Sequence, residues 1–192
     1  GSRLVWRSMA TPGFEADKDR IMMVEFNPKA LEKLKKDLKP KTGQEINIRS
    51  RVYTDLSEGF DQSSSNFSFS ADGKHLYFIS GIHATYQVYK MELASKKITQ
   101  LTSGDHDIQS YAIDGNDLII TKMCHDLPTE VFKIRPGGSE EQLTFTNRHI
   151  LKNVKLGKSE KRWITTTDGK KMLVWVILPP DFDPAKKYPA LL

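Results

Sequence analysis

An internal repeat constrains this 192-residue chain more than any single motif does. The stretch Asn66-Phe-Ser-Phe-Ser-Ala-Asp-Gly-Lys-His-Leu-Tyr-Phe-Ile79 is followed by Gln87-Val-Tyr-Lys-Met-Glu-Leu93 and then by Ile98-Thr-Gln-Leu-Thr102. About 42 residues later the same order returns as Ser110-Tyr-Ala-Ile-Asp-Gly-Asn-Asp-Leu-Ile-Ile120, Glu130-Val-Phe-Lys-Ile134 and Glu141-Gln-Leu-Thr144. Asp72-Gly73 with Asp114-Gly115, and Gln100-Leu-Thr with Gln142-Leu-Thr, keep one register. Each unit reads as four short antiparallel strands, with Asp-Gly making the first turn because Gly tolerates the left-handed φ of a tight hairpin. Phe67 and Phe69 alternate with Ser68 and Ser70, the period-two pattern of a strand with one buried face. A four-stranded sheet cannot bury both faces alone, so such units make sense only when stacked, as in a β-propeller.

The first sixty residues read as an irregular third unit. Arg3 to Met9 and Asp19 to Phe26 have strand character, joined by the loop Ala10-Thr-Pro-Gly-Phe-Glu-Ala-Asp17, and Val52 to Leu56 resumes the sheet. Between them, Pro28 to Gln44 is an insertion in which Leu31, Leu34 and Leu38 fall on one helical face, which predicts a short amphipathic helix ending at Pro40. Ile150 to Leu156 reads as a return strand or the start of another blade. Beyond it, Asp168-Gly169 marks a hairpin turn, Met172 to Leu178 is an apolar run of strand length stopped by Pro179-Pro180, and Tyr188 to Leu192 begins another apolar run.

Composition narrows the function. Lys and Arg number 29 against 24 Asp and Glu, for a net charge of +5. The excess sits mainly in Lys29 to Lys41 rather than in a stripe interleaved with aromatics, which argues against nucleic-acid binding. Cys124 is the one cysteine, so there is no disulfide framework and no Cys/His set at metal spacing; neither a cofactor nor a metal is expected. No stretch approaches the ~20 apolar residues of a membrane span. His83 and His125 occupy corresponding loops of the two repeats and read as exposed loop histidines. Cys124 beside His125 is a poor nucleophile-base pair, because adjacent strand residues point to opposite faces.

The order Trp6-Arg-Ser-Met9, Pro12-Gly-Phe-Glu-Ala-Asp17, Phe60-Asp61, Ser70-Ala-Asp-Gly73, Gln142-Leu-Thr144 with Asn147, and Trp163 to Leu192 resembles the prolyl oligopeptidase family of serine peptidases, in its bacterial dipeptidyl-peptidase and acylaminoacyl-peptidase branch. The closing segment, with Asp-Gly, Pro-Pro, Phe-Asp-Pro and Tyr-Pro in that order, is similar to the family's junction between propeller and hydrolase. The resemblance implies a mainly β fold: a partial β-propeller of four-stranded antiparallel blades, then the first strands of a truncated α/β-hydrolase domain. The implied divisions are propeller over 1–158 (an irregular blade at about 1–60, blades at about 61–103 and 104–147, a return strand at 148–158) and hydrolase over 159–192. No Gly-x-Ser-x-Gly elbow occurs here, so the catalytic triad is expected beyond Leu192 and this stretch is expected to be inactive.

The implied activity is removal of short units from peptide N-termini, with the propeller limiting access and binding the substrate's amine. A protonated amine entering a desolvated cleft needs a carboxylate. On that analogy Glu15 is the candidate ligand, with Asp17, Phe14 and Trp6 as further substrate-binding candidates. The plainer alternatives are solvated carboxylates or ion pairs with Arg7 or Arg20, and a Trp6 packed in the core. A non-catalytic binding propeller and an oligopeptide endopeptidase of the same architecture remain alternatives for the whole. Expected partners are a peptide substrate, the missing blades and the hydrolase domain. Exposed blade faces predict self-association. The resemblance leans to a periplasmic location, with a cytoplasmic one as the alternative.

Overall fold

Short alternating segments punctuated by glycine turns fold as antiparallel sheets, and the computed structural model, which describes residues 2–25 and 53–191, contains four of them. The first has the order β1 (Arg3–Ser8), β2 (Arg20–Glu25), β3 (Tyr53–Asp55). The second runs β4 (Ser64–Phe69), β5 (His75–Ile82), β6 (Thr85–Glu92), β7 (Ile98–Gln100). The third contains β8 (Asp107–Asp114), β9 (Asp117–Cys124), β10 (Leu127–Ile134) and β11 (Glu140–Gln142), again in sequential order. One helical turn, α1 (Arg148–Leu151), precedes a two-stranded hairpin of β12 (Ser159–Thr165) and β13 (Lys171–Ile177). These elements fall into two compact units, residues 1–82 with 87–102, and residues 83–86 with 103–192. The insertion over 28–44 with its expected helix ending at Pro40, and the expected strand residues Phe26 and Val52, lie outside the described residues.

In the first unit, Ile21, Leu56, Leu76, Phe78, Tyr89 and Met91 form a buried cluster, with Phe60, Phe67 and Phe69 packed against it. Phe78 and Tyr89 stack at 5.7 Å, and Phe60 meets both edge-on. Val88 and Tyr89 are adjacent on β6 and both buried, so this strand is covered on both faces rather than alternating cleanly. In the second unit β10 does alternate, burying Glu130, Phe132 and Ile134. The two repeats share a bulge that the sequence does not display, between Ser65 and Ser68 against β5 and between Ile108 and Ser110 against β9.

The Asp-Gly turns form where expected, but by two routes. At Ser70-Ala-Asp72-Gly73 the Ser70 hydroxyl donates to Asp72 Oδ1 at 2.5 Å, accepts the His75 N–H at 2.9 Å, and Gly73 takes φ +66°. The Thr166 hydroxyl likewise donates to Asp168 before Gly169, which takes φ +80°. In the third sheet Asp114 pairs directly with Asp117, leaving Gly115 and Asn116 as a two-residue turn.

The Gln-Leu-Thr signature has a physical basis. The Thr102 hydroxyl accepts the Val88 N–H at 2.9 Å and donates to Gln87 Oε1 at 2.8 Å. Leu101 N–H bonds the Val88 carbonyl at 2.8 Å, and Gln100 Nε2 reaches the Thr102 carbonyl at 2.7 Å. In the third sheet Thr144 accepts the Val131 N–H at 2.8 Å and donates to Glu130, with Leu143 and Gln142 playing the parts of Leu101 and Gln100. The first sheet carries the same latch in other residues. There Ser57 Oγ accepts the Ile21 N–H at 3.0 Å and donates to Asp55 Oδ1, while Leu56 N–H bonds the Ile21 carbonyl. One hydroxyl thus fastens each outermost strand to its neighbour, satisfying buried polar groups that would otherwise destabilise the sheet.

Two expectations differ from the structure. In place of a return strand over 148–158, Leu151 N–H bonds the Asn147 carbonyl at 3.0 Å and Lys152 N–H that of Arg148 at 3.0 Å, closing α1; the chain is irregular from there until β12. In place of a strand from Tyr188, residues 188–191 are irregular. Asp183 N–H donates to the Tyr188 hydroxyl at 2.9 Å, and Phe182 packs on the Tyr188 ring at 5.2 Å, a local turn rather than a ladder.

Candidate functional site

The connection between β1 and β2 occupies the place that two-residue turns take in the other repeats, and its sequence dictates its course. Thr11-Pro12-Gly13-Phe14 has proline at the second position and glycine at the third, the pattern of a type II turn. Gly13 takes φ +76°, and Phe14 N–H bonds the Thr11 carbonyl at 3.3 Å. A second turn follows at once, with Asp17 N–H on the Phe14 carbonyl at 3.0 Å. Asp17 fastens the loop: its Oδ2 accepts the N–H groups of Ala10 and Thr11 at 2.8 and 2.7 Å, and its Oδ1 that of Lys18 at 2.8 Å. These bonds, the Thr11 one foremost, hold the Asp17 carboxyl below its ordinary pKa.

Beneath this loop lies a groove of about 950 Å³ lined by Trp6 to Gly13, Asp19, Arg20, Met22 and Tyr53. Trp6 meets Tyr53 edge-to-face at 5.8 Å. Arg20 donates to the carbonyls of Ser8 and Met9, and its third nitrogen lies 3.9 Å from Asp55. Arg7 pairs with Asp19 at 3.3 Å. Trp6 is therefore both half-buried against Tyr53 and part of the groove wall. Glu15 is exposed on the second turn, and among the described residues its carboxylate has no ion pair or hydrogen bond. Phe14 beside it is 55% exposed. Neither Phe14, Glu15 nor Asp17 lines the groove itself. Tyr53, Arg7 and Arg20 were not singled out from the sequence as groove residues; the signal for Tyr53 was its place on a strand of the same sheet as Trp6.

The second unit holds a smaller, mostly apolar pocket of about 360 Å³ where Met123, Cys124 and His125 face Ser159, Trp175 and Ile177. Burial, aided by Lys122, pushes the His106 imidazole toward its neutral form. Burial and a hydrogen bond donated to Asp126 at 3.1 Å push the Cys124 thiol up. A raised thiol pKa disfavours the thiolate, which is the nucleophilic form. His83 lies in the left-handed turn between β5 and β6, at φ +49°, and meets Trp163 edge-on at 5.4 Å.

Over its whole length the chain is 30% identical to dipeptidyl-peptidase 5 of Porphyromonas gingivalis, and over 61% of its length it is 36% identical to that of Porphyromonas endodontalis. These matches agree with the resemblance to the prolyl oligopeptidase family. The chain spans 25% and 17% of the length of those two relatives. No family model matches it. Among solved structures, Pyrococcus horikoshii acylaminoacyl peptidase superposes with a TM-score of 0.68 at 17% identity, over 98% of this chain and 25% of that one. The propeller domain of the Trilobed protease from Pyrococcus furiosus superposes with a TM-score of 0.51 at 16% identity, over 77% of this chain and 38% of that one. The antiparallel sheets built from β1 to β11 thus have the fold of β-propeller blades.

Proposed function

We propose that this chain is the recognition part of a serine exopeptidase that removes short units from peptide N-termini, its propeller limiting access and its β1–β2 loop binding the substrate's amine. The match to dipeptidyl-peptidase 5 along the whole chain carries the reading. The division of labour between the two loop carboxylates supports it. Asp17 spends its oxygens on the backbone, whereas Glu15 is uncommitted among the described residues, and an ammonium group seeks a carboxylate not already engaged. Trp6 and Phe14 would supply apolar surface for the first side chains of the peptide.

The test is Glu15→Gln in the full-length protein, assayed on dipeptide-releasing substrates with a free amine and on the same peptides N-acylated. Loss of a desolvated ion pair of about 2–4 kcal/mol raises KM for the free-amine substrate roughly 30- to 1000-fold and leaves kcat nearly unchanged. The acylated substrate, which has no charge to meet, responds little. Equal kinetics for wild type and Glu15→Gln on the free-amine substrate would remove Glu15 from this role. A wild-type preference for acylated substrates would assign the acylaminoacyl activity instead.

A further inference from the structure

We propose that Glu130 is a clamp: its one carboxylate fastens the chain leaving the third sheet, from Thr144 through Asn147, and so ties the approach to hairpin β12–β13 to strand β10. Glu130 stands on the buried face of β10 with Phe132 and Ile134 and is 3% exposed. Its Oε2 accepts the Thr144 hydroxyl. Its Oε1 accepts the Asn147 N–H at 3.1 Å and the Asn147 Nδ2 at 3.4 Å. Asn147 is the residue whose carbonyl closes α1, accepting from Ile150 and Leu151, so the carboxylate holds both the end of the latch and the start of the helical turn.

The sister repeat shows what is particular here. At the register of Glu130 it has Gln87, which accepts the Thr102 hydroxyl by the same geometry. Three residues past the latch threonine it has Asp105, where the third repeat has Asn147. A neutral amide goes with an acid in one repeat, and an acid with a neutral amide in the other. The latch needs only an acceptor at this register, which glutamine supplies. A carboxylate, with acceptor sites to spare, can serve the latch and also take two donors from Asn147. An amide carries one oxygen, and its nitrogen would face the Asn147 donors.

Two single variants and their combination test this in the full-length protein, read by hydrogen exchange over peptides covering residues 144–152 and, separately, β8 to β10. Glu130→Gln keeps an acceptor for Thr144 but not for Asn147, so exchange over 144–152 accelerates on the order of five- to tenfold while β8 to β10 hold. Asn147→Asp leaves the Glu130–Thr144 bond in place and sets two carboxylates together, with the same local effect. Combined, they reproduce the Gln87 and Asp105 pattern and return exchange over 144–152 toward that of the wild type. Should Glu130→Gln fail to fold, Asn147→Asp tests the clamp alone. Unchanged exchange over 144–152 in the variants, or a uniform rise across the whole sheet, overturns the proposal.

Discussion

At the scale of single residues, the β1–β2 loop separates two carboxylates that look alike in sequence. Both Glu15 and Asp17 follow a Pro-Gly turn, and either reads as a ligand or as solvated surface. Asp17 takes three backbone N–H groups, which makes its charge part of the loop's own structure. Its pKa is lowered in the folded chain, chiefly by the Thr11 N–H, so the stabilisation is present above the ordinary value of 3.8 and is lost as pH falls through the lower folded value. The Ala10 and Thr11 amides should accordingly stay protected from exchange at pH 5 to 7 and lose protection on acidification below about pH 4. Asp17→Asn, which gives up one acceptor oxygen for a donor, should lose that protection at every pH. Equal protection in Asp17→Asn would show that Pro12 and Gly13 alone hold the loop. Pro12, Gly13 and the carboxylates were legible in the sequence; which carboxylate the backbone claims depends on where two consecutive turns aim them, and no spacing rule states that.

At the scale of elements, the hydroxyl latch recurs in all three sheets of the propeller segment. The repeat was readable because Asp-Gly and Gln-Leu-Thr recur in register, and the strands they delimit form as expected. The first sheet's latch escaped because Asp55-Leu56-Ser57 shares only leucine with Gln-Leu-Thr, although serine supplies the same hydroxyl, with its acceptor Asp55 moved onto the outer strand itself. Strand patterning could not foresee α1 either, since Ile150, Val154 and Leu156 are as apolar as a strand and remain exposed. The latch can be weighed directly. Thr102→Val keeps the shape of the side chain but withdraws the hydroxyl that the buried Val88 N–H donates to and that donates to Gln87 Oε1, and should destabilise by about 1–3 kcal/mol. Urea denaturation of the full-length protein would show a lower midpoint at unchanged slope. Thr102→Ser, which retains the hydroxyl, should recover most of the loss; if it does not, the methyl group's packing rather than the latch is what matters.

At the scale of the molecule, what stands out is the hairpin β12–β13. Strand pairing places Arg162, Ile164, Met172, Val174 and Val176 on one face and Lys161, Trp163 and Trp175 on the other. The second face is engaged in part, with Lys161 paired to Asp105 at 2.5 Å and Trp163, itself 52% exposed, against His83. On the first face Ile164 and Met172 remain exposed, and two strands alone are marginal in water. Between Arg148 and Lys171 there are eight basic residues and two acidic ones, so like charges oppose the approach of two such faces at low salt. The chain prepared as these 192 residues is therefore expected to self-associate through this face, more strongly as salt rises, with sedimentation velocity over a concentration series as the measurement. Ile164→Lys with Met172→Lys should hold it monomeric at the same ionic strength. Association that weakens with added salt, or that survives both substitutions, would place the contact elsewhere, for instance along the hairpin edges, which pair with no further strand among the described residues.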